Sequence, residues 1–400
     1  MKLKLIIAIL FIKFSGLFGQ EFLYYCSRAT PTTATWQVYK KNLTTSVTYT
    51  ITNDPNYNYW RAEPSPDNSK LLIVRSPANV SPDQENYVDC DIVKCNTDGT
   101  GMHVIIANNQ YGWYGFGNPH FHPTGNRILL IAQPTSTAAW NLYTVDTAGN
   151  NPQQLTTTGG IDANWSPLGN KVVFVSLTGP SLLNLEIFKA NYNYATNQVS
   201  NIVQLTNDTT RDHDPCFSPN GDKIAFCAGN ASLTDADIVT IDTSGANRTG
   251  VVNDNGTHGG NVNWGTNNKI YYHSIYVSTF TNFMADDFNC GTNSVEAIFN
   301  SSSIHYLHPF YRNQITTSIK NLQEKKGTIS CFPNPAFNII NIVLENQIKD
   351  IIQITDCLGR IVSMHEIDKT TSIDLETLQP GIYFLVSKTD QFIPQKFIKN

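Results

Sequence analysis

The 400-residue sequence contains little charge: charged residues make up 15% of it, and the formal net charge is −5. Disordered chains combine low hydrophobicity with high charge, whereas 40% of these residues are hydrophobic, so a folded protein is expected. No basic stretch is large enough to follow a phosphate backbone, which excludes nucleic-acid binding. Only 4 methionines accompany 18 tyrosines, 20 phenylalanines and 25 glycines, a composition that favours β-structure.

Long hydrophobic runs are also missing. The longest one near the N-terminus, 5–12, follows Lys2 and Lys4 and precedes small residues up to Gly19. This order predicts a secretory signal peptide at 1–19, with an N-terminal membrane anchor as the alternative. No later segment reaches 18 uninterrupted apolar residues, so no transmembrane segment is expected in the mature chain.

Several catalytic motifs are absent from the sequence. It has no G-x-S-x-G, H-E-x-x-H or P-loop motif, and its cysteines lack the paired C-x-x-C spacing of a zinc site. Eight cysteines are too few for a disulfide scaffold. Cys216 and Cys227 flank the turn at 219–222, and counting outward from its centre places them opposite each other on two strands. They are therefore the candidate disulfide, with two reduced thiols as the alternative.

One pattern recurs along the chain: a polar lead-in, Ser-Pro or His-Pro, a turn, and an apolar strand. The dipeptide stands at Ser65-Pro66, His122-Pro123, Ser166-Pro167 and Ser218-Pro219, and a fifth copy at 263–272 has lost the proline. Proline sets φ for the turn, and the flanking strands pair as a hairpin. A third strand and a short fourth strand follow. Four strands per unit, with these prolines recurring every 44–57 residues, predict the blades of a β-propeller.

The two ends of the repeat region are predicted to complete each other. Residues 22–26, 36–40 and 47–51 have the pattern of the last three strands of a blade, and 307–310 has that of an isolated first strand. Pairing them closes the ring and removes the exposed sheet edges, which gives about six blades. Five or seven blades stay open because 276–300 has no regular pattern.

These repeats resemble the WD-type Pro-Asp repeats of TolB-like β-propellers, whose core reads Pro-x-Trp/Phe-Ser-Pro-Asp-Gly. The resemblance covers about 22–312, although Asp67-Asn68, Thr124-Gly125 and Leu168-Gly169 replace the Asp-Gly pair. It implies a divergent member. The expected fold is all-β, with a propeller followed by a small C-terminal antiparallel β-sandwich.

The composition changes after Arg312. We expect a propeller at 20–312, a polar linker at 313–328, and short alternating strands separated by Pro and Gly at 329–400. Three motifs stand in the last segment, Phe-Pro-Asn-Pro, Asp-x-x-Gly-Arg and Pro-Gly-Ile-Tyr. Their residues include Pro333, Asn334, Pro335, Asp356, Gly359, Arg360, Gly381 and Tyr383.

These motifs resemble the C-terminal sorting domain of the type IX secretion system of Bacteroidetes. The resemblance implies passage through the periplasm, contact with the secretion machinery, and release or attachment at the outer-membrane surface. An ordinary adhesive β-sandwich is the alternative.

Two groups of residues are candidates for a binding site. His120, His213, His258 and His308 lie at or just before first strands, which line the channel of a propeller. With Asp162, Asp212 or Asp214 they could hold a divalent metal, but Asp or His also caps turns at such positions. Trp113 and Tyr114 could stack on sugar rings, anchor a protein partner, or pack between blades.

The sequence therefore predicts a secreted or surface-attached propeller that binds a protein or glycan partner and needs no cofactor. An enzymatic role is less favoured. The alternative is a metal-dependent polysaccharide lyase that uses the channel histidines, because oligogalacturonate lyases are propellers of similar repeat type with a metal in this region.

Overall fold

The structure, a computed structural model, describes residues 20–29, 34–79, 87–180, 184–230, 236–252, 257–276, 279–287, 295–299, 304–314, 327–345, 349–356, 361–388 and 392–400. The predicted signal peptide lies outside these ranges. The chain forms two compact units that divide between Thr316 and Thr317. Among the described residues, no helix has the length and apolar character required to cross a membrane.

The first unit contains six four-stranded antiparallel sheets, the blades of a β-propeller, which we number I to VI. Blade I consists of β1 (Gln20–Ala29), β2 (Gln37–Asn42), β3 (Thr48–Thr50) and the last strand of the unit, β24 (Ile304–Gln314). Blade II consists of β4 (Tyr57–Pro64), β5 (Lys70–Pro77), β6 (Asp91–Asn96) and β7 (His103–Ile106). Blade III consists of β8 (Gly115–Phe121), β9 (Arg127–Gln133), β10 (Asn141–Asp146) and β11 (Gln153–Gln154).

The other three blades follow in chain order. Blade IV consists of β12 (Ile161–Trp165), β13 (Lys171–Leu177), β14 (Leu185–Asn193) and β15 (Gln198–Gln204). Blade V consists of β16 (Arg211–Phe217), β17 (Lys223–Gly229), β18 (Ala236–Asp242) and β19 (Thr249–Val252). Blade VI consists of β20 (Thr257–Trp264), β21 (Lys269–Tyr276), β22 (Thr279–Asp287) and β23 (Val295–Ala297).

Blade I closes the ring, as the sequence predicts. β1 and β24 run antiparallel, with Tyr24 opposite Phe310 and Cys26 opposite Leu307. The first strands β24, β4, β8, β12, β16 and β20 each contact the next one around a central channel. Both ends of the unit are therefore joined in one sheet.

The second strands are buried on both faces because the blades stack face to face. The apolar stretches at 71–74, 128–132, 172–175 and 224–227 are almost inaccessible to solvent. Each stretch reads as a continuous hydrophobic run, which is the reason that the sequence identifies these strands most clearly.

The repeated serine stabilises the turn between the first and second strands. Backbone N–H groups donate to its hydroxyl oxygen at 3.0 Å in three blades: Lys70 to Ser65, Lys171 to Ser166 and Lys223 to Ser218. In blade III the residue at this position is His122, whose Nδ1 is 2.8 Å from Thr124 Oγ1. The motif thus places a short polar side chain where the turn needs a local hydrogen-bonding partner.

A recurring clamp joins neighbouring blades. A lysine Nζ donates to a backbone carbonyl in the next blade at three junctions: Lys40 to Thr97 (3.3 Å), Lys94 to Thr147, and Lys189 to Thr243. The same turns contain Gly99, Gly149 and Gly245, all with positive φ. A Cβ on Gly149 would lie 2.0 Å from the carbonyl oxygen of Ile105 in the preceding blade. At these turns the backbones of neighbouring blades are therefore in close contact.

The second unit is a sandwich of two four-stranded sheets. One contains β25 (Gly327–Phe332), β26 (Ile339–Leu344), β29 (Thr370–Asp374) and β31 (Phe392–Ile393). The other contains β27 (Asp350–Asp356), β28 (Ile361–Ile367), β30 (Gly381–Ser387) and β32 (Gln395–Lys399). Alternate residues of β26 and β27, such as Ile340, Ile342, Ile352 and Ile354, share one buried cluster. The pairing is antiparallel except between β25 and β31, which are parallel.

The register of blade V corrects the prediction for Cys216 and Cys227. Cys216 lies opposite Ala225 and Cys227 lies opposite His213, because Cys216 is two residues nearer to the turn than Cys227. Both are free, buried thiols within one apolar cluster. Burial raises the pKa of Cys216 to about 12, so this thiol is protonated at neutral pH.

Candidate functional site

The first strand of every blade contains a β-bulge at the equivalent place. Two residues there lie opposite a single residue of the adjacent strand: Arg61-Ala62, Asn118-Pro119, Asp162-Ala163, Asp214-Pro215, Asn261-Val262 and His308-Pro309. A bulge bends the strand and changes the direction of a side chain. Six equivalent β-bulges therefore surround the channel.

The first residue of each bulge has a left-handed backbone conformation. These six residues, which we call the channel ring, have φ values of 48° (Arg61), 50° (Asn118), 47° (Asp162), 50° (Asp214), 51° (Asn261) and 54° (His308). A non-glycine residue in this region costs on the order of 1–3 kcal/mol, although Asn, Asp and His adopt it more readily than others. All six side chains are polar. The fold therefore maintains this costly backbone conformation at the channel, where the polar side chains come together.

The channel ring lines a small cavity. Its volume is about 50 Å³, and all six blades contribute to its wall. The small-molecule sites of proteins are usually cavities of roughly 300–1,000 Å³. This cavity therefore has room for a few water molecules or the head group of one side chain, but not for a whole sugar ring.

Arg61 reaches across the channel. Blades II and V are three steps apart in a ring of six, and Arg61 Nη2 lies 3.6 Å from Asp214 Oδ1. Arg61 Nη1 also donates to Asn118 Oδ1 at 3.3 Å. The side chains of Arg61 and Asp214 are only 16% and 13% exposed. One guanidinium group therefore links blades II, III and V near the channel axis.

Asp214 carries a fixed negative charge. Its Oδ2 accepts hydrogen bonds from His213 Nδ1 at 3.1 Å and from the backbone N–H of Asn261 at 2.9 Å. Burial alone would raise the pKa of this carboxyl, but His213, Arg61 and the Asn261 amide outweigh burial and hold the pKa far below its usual value.

His308 is a neutral member of the ring. Its Nδ1 lies 2.6 Å from Asn261 Oδ1, and its ring centre lies 5.9 Å from that of His273 on β21. Burial and the positive charge of Arg61 hold the pKa of His308 well below its usual range. Burial, assisted by His308, lowers the pKa of His273 to about 3. These two imidazoles therefore add no charge to the channel at neutral pH.

Glu63 and His120 form a second polar pair in the cavity wall. Glu63 Oε1 accepts from the backbone N–H of Phe121 at 2.9 Å, and Glu63 Oε2 is in close contact with His120 Nδ1. His120 Nε2 lies 2.6 Å from Asn118 Oδ1. Counting histidines as neutral, the lining residues carry one positive and three negative charges, those of Arg61, Glu63, Asp162 and Asp214.

The predicted histidines occupy different positions of their strands. His308 belongs to the channel ring and His120 lines the cavity, but His213 precedes the ring residue Asp214 and does not line it. The side chain of His258 lies outside the described part of the structure. His120, His213 and His308 each contact a carboxylate or an amide oxygen through Nδ1. The structure therefore brings His120 and His308 to the cavity wall and places His213 next to the lining residue Asp214.

The aromatic candidates do not form an open stacking surface. Trp113 is only 8% exposed and packs against Tyr111, Phe116 and Tyr143, with ring centres 4.9, 6.0 and 5.0 Å away. Tyr114 is exposed. Trp113 is thus part of the core, because its ring fills the space between neighbouring strands.

Sequence reasoning missed three members of the channel ring, Arg61, Asn118 and Asn261. All six ring residues occupy the same position of the repeat. Each lies five residues before the proline of the Ser-Pro or His-Pro dipeptide, or before the residue that replaces it; Arg61, for example, lies five residues before Pro66. Aligning the six copies on that proline would have placed Arg, Asn, Asp, Asp, Asn and His in one column. Histidines are easier to identify as candidates from sequence, because their residue type alone indicates ligand or acid–base chemistry.

The sorting motifs have structural roles in the second unit. Asn334 Oδ1 accepts from the backbone N–H of Ile398 at 3.0 Å, which connects the Phe-Pro-Asn-Pro segment to the last strand. Tyr383 donates to the Gln379 carbonyl at 2.8 Å and stacks on Phe397. Pro333, Pro335, Asp356 and Gly381 also belong to the described residues, whereas Gly359 and Arg360 lie outside them.

Comparisons with known proteins agree with the two-part architecture. Residues 330–400 match the family described as "Secretion system C-terminal sorting domain", which confirms the resemblance to type IX sorting domains. No curated protein matches the chain.

Solved structures similar to the chain include two TolB β-propellers. TolB from Acinetobacter baumannii is 16% identical with a TM-score of 0.56, and the match covers 74% of this chain and 67% of that one. A putative TolB from Agrobacterium tumefaciens is 13% identical with a TM-score of 0.52, covering 74% and 98%. A chain of a nidogen/laminin complex is 9% identical with a TM-score of 0.54, covering 73% and 98%. At these identities the likeness shows the fold alone.

Proposed function

We propose that this chain is an exported binding protein whose channel ring receives a basic group of a protein partner. The observation that carries the proposal is the ring itself: six equivalent bulges direct polar side chains at one small, net negative cavity. Strained backbone conformations persist where the surrounding structure holds them, and they concentrate at functional sites.

Export is supported by the C-terminal domain. The match of residues 330–400 implies contact with the secretion machinery and delivery to the cell surface or beyond. Within the proposal, the predicted signal peptide first carries the chain to the periplasm of a Bacteroidetes-type bacterium. The product is then released or attached at the outer surface.

The size and charge of the cavity select the class of ligand. A volume of about 50 Å³ accepts a side-chain end but not a saccharide unit. Three carboxylates against one guanidinium favour a cationic ligand, because an anion would be repelled by the net negative charge of the cavity. A lysine, an arginine or an N-terminal amine of a partner fits both conditions, so a protein ligand is favoured over a glycan.

Peptide selection tests the binding site. The mature chain, residues 20–400, is panned with a random heptapeptide library, and enriched peptides are synthesised and titrated calorimetrically. We expect the enriched peptides to share a lysine, arginine or free amine. Asp162→Asn should weaken their binding by about tenfold, which corresponds to about 1.4 kcal/mol.

A matched variant controls for general charge effects. Asp98→Asn removes a carboxylate from an exposed turn outside the cavity, so it should leave peptide affinity unchanged. Enriched peptides without a basic group, or equal affinity for the wild type and Asp162→Asn, would contradict the proposed site.

Reporter export tests the other half of the proposal. Residues 317–400 are fused to a periplasmic reporter in a host with a type IX system, and surface and medium fractions are assayed. Export of the reporter is expected. Retention in the periplasm would argue against a sorting role for this unit.

The lyase alternative gains no support from the described part of the channel. His120, His213 and His308 are each engaged separately, and no three metal-ligating groups of the described channel residues lie close together.

A further inference from the structure

A second cluster of polar groups lies at the junction of blades IV and V. Glu186 is at the start of β14, Asp208 lies in the connection to blade V, and Asp212 is at the start of β16. Each offers one carboxylate oxygen, and the three oxygens lie within 4.8 Å of one another. None of these residues lines the channel cavity.

Asp212, a member of this cluster, has one buried carboxylate oxygen without a hydrogen-bond partner among the described residues. The residue is 0% exposed; its Oδ1 accepts from Thr210 Oγ1 at 2.8 Å, while its Oδ2 has no hydrogen-bond partner among the described residues. A buried polar atom without a partner costs on the order of 1–3 kcal/mol, and more when it is charged.

The other blades show that the turn does not require these charges. In blade III, Asn141 Oδ1 accepts from the backbone N–H of Gly159 at 3.1 Å. In blade I, Gln37 Oε1 accepts from the backbone N–H of Asp54 at 3.2 Å. Glu186 Oε1 does the same for Asp208 at 3.3 Å. A neutral amide therefore suffices for this role in blades I and III, whereas blades II and IV have a carboxylate there, since Asp91 Oδ1 accepts from the backbone N–H of Asn108 at 3.0 Å.

Nearby positive charge compensates only part of the cluster. Arg248 Nη1 lies 2.8 Å from Asp208 Oδ2, and both side chains are more than one third exposed. Glu186 accepts instead from the hydroxyl of Thr206 at 2.7 Å. The guanidinium of Arg248 therefore neutralises charge at the exposed Asp208. The two buried carboxylates, Glu186 and Asp212, leave the inner part of the cluster electronegative.

We propose that Glu186, Asp208 and Asp212 bind one hard divalent cation, calcium in an exported protein. Calcium–oxygen distances of about 2.3–2.6 Å place two ligand atoms up to about 5 Å apart, which the observed separation satisfies. The hydroxyls of Thr206 and Thr210 provide neighbouring oxygen atoms. An all-oxygen ligand set favours calcium over zinc or copper. The cation joins blades IV and V and is independent of ligand binding in the channel.

Calorimetric titration of the full mature chain with CaCl₂ tests this site. We expect one calcium per chain with a dissociation constant on the order of 10⁻⁴–10⁻³ M, the range of extracellular calcium modules. Glu186→Gln and Asp208→Asn should each weaken binding by about tenfold or more. Glu186→Gln retains an oxygen that accepts from the Asp208 amide, and its NH₂ group can donate to the Thr206 hydroxyl oxygen. Asp208 is exposed, so both variants should fold.

The control and the contrary outcomes are defined by the same titration. Asp98→Asn, an exposed carboxylate outside the cluster, should bind calcium like the wild type. The proposal is overturned if the wild-type chain binds no calcium at calcium concentrations roughly tenfold above the expected dissociation constant. It is also overturned if either Glu186→Gln or Asp208→Asn binds as tightly as the wild type.

Discussion

A single residue position explains most of the channel chemistry. The bulge offsets the first strand by one residue, and the alternation of strand faces then decides which neighbour meets the channel. His213 and Asp214 are adjacent in sequence, yet only Asp214 lines the cavity. Arg61 is the least expected member, because arginine has no local hydrogen bond that favours a positive φ. Its contacts with Asp214 and Asn118 hold it there.

Asp214 should make the stability of the propeller sensitive to acid. Its pKa in the folded chain lies below its unfolded value of about 3.9, so its contribution is present above pH 4 and is lost as pH falls toward the folded pKa. Asp214→Asn should lower the free energy of unfolding by about 2 kcal/mol at pH 6, and this deficit should shrink by roughly 1 kcal/mol at pH 3. Urea unfolding followed by tryptophan fluorescence measures it, since all 6 tryptophans precede Thr316.

Two further variants serve as comparisons for this measurement. Arg61→Gln removes the ionic partner and should reduce the acid sensitivity in the same direction. Asp98→Asn reports the effect of removing one negative charge from the propeller surface. A deficit for Asp214→Asn that stays constant from pH 6 to pH 3 would show that Asp214 is not held ionised by these contacts.

The residue scale is also where prediction from sequence was weakest. Left-handed asparagines occur both in the ring and in ordinary turns, as Asn118 and Asn68 show. Their residue type therefore does not reveal which one faces the channel. Cys216 and Cys227 were predicted to lie opposite each other, but Cys216 is two residues nearer to the turn, so each faces another residue.

At the scale of strands and turns, the sequence is far more informative. Buried second strands such as β5 and β13 appear as continuous apolar runs, and the Ser-Pro turn has a direct hydrogen-bonding reason. The short outer strands are harder to predict, because β11 has only 2 residues. The blade clamps were not predicted at all. They join residues of different repeats, such as Lys94 and Thr147, and no local pattern encodes that proximity.

Gly149 tests the clamp. Gly149→Ala adds a Cβ to a residue at φ +83°, 2.0 Å from the Ile105 carbonyl oxygen. A left-handed non-glycine residue costs about 1–2 kcal/mol and overpacking about 1–3 kcal/mol, so we expect a loss of about 3 kcal/mol in urea unfolding.

Gly125 is the matched control. It also has a positive φ, +74°, but an added Cβ would meet nothing within 4 Å. Gly125→Ala should therefore cost only about 1 kcal/mol. Equal losses for the two variants would mean that the contact between blades II and III contributes nothing beyond backbone conformation.

For the whole molecule, ring closure was predictable because both ends carried incomplete repeats. The first residues lacked one strand of a blade and 307–310 supplied it, so counting strands was sufficient. The same reasoning could not give the blade number firmly, since β22 and β23 lie in a stretch without a clear pattern. The C-terminal unit was identified by its motifs, whose order along the chain did not depend on knowing the fold.

Closure by β24 should decide whether the propeller folds as one unit. β24 is the inner strand of blade I and contributes His308 to the channel ring. A chain of residues 20–316 keeps this strand, whereas 20–303 leaves β1 with an unpaired edge and opens the ring between blades I and VI. We expect 20–316 to unfold in one cooperative thermal transition by tryptophan fluorescence. We expect 20–303 to lose that transition.

A synthetic peptide of residues 304–316 distinguishes a missing strand from general damage by truncation. Added to the 20–303 chain, it should pair with β1 and restore cooperative unfolding, because strand addition supplies the missing main-chain hydrogen bonds. A peptide with Pro in place of Leu307, which lies opposite Cys26 in the register, loses a backbone donor and should be less effective. If 20–303 alone unfolds within about 2 °C of 20–316, five blades are self-sufficient and closure is not what makes the ring cooperative.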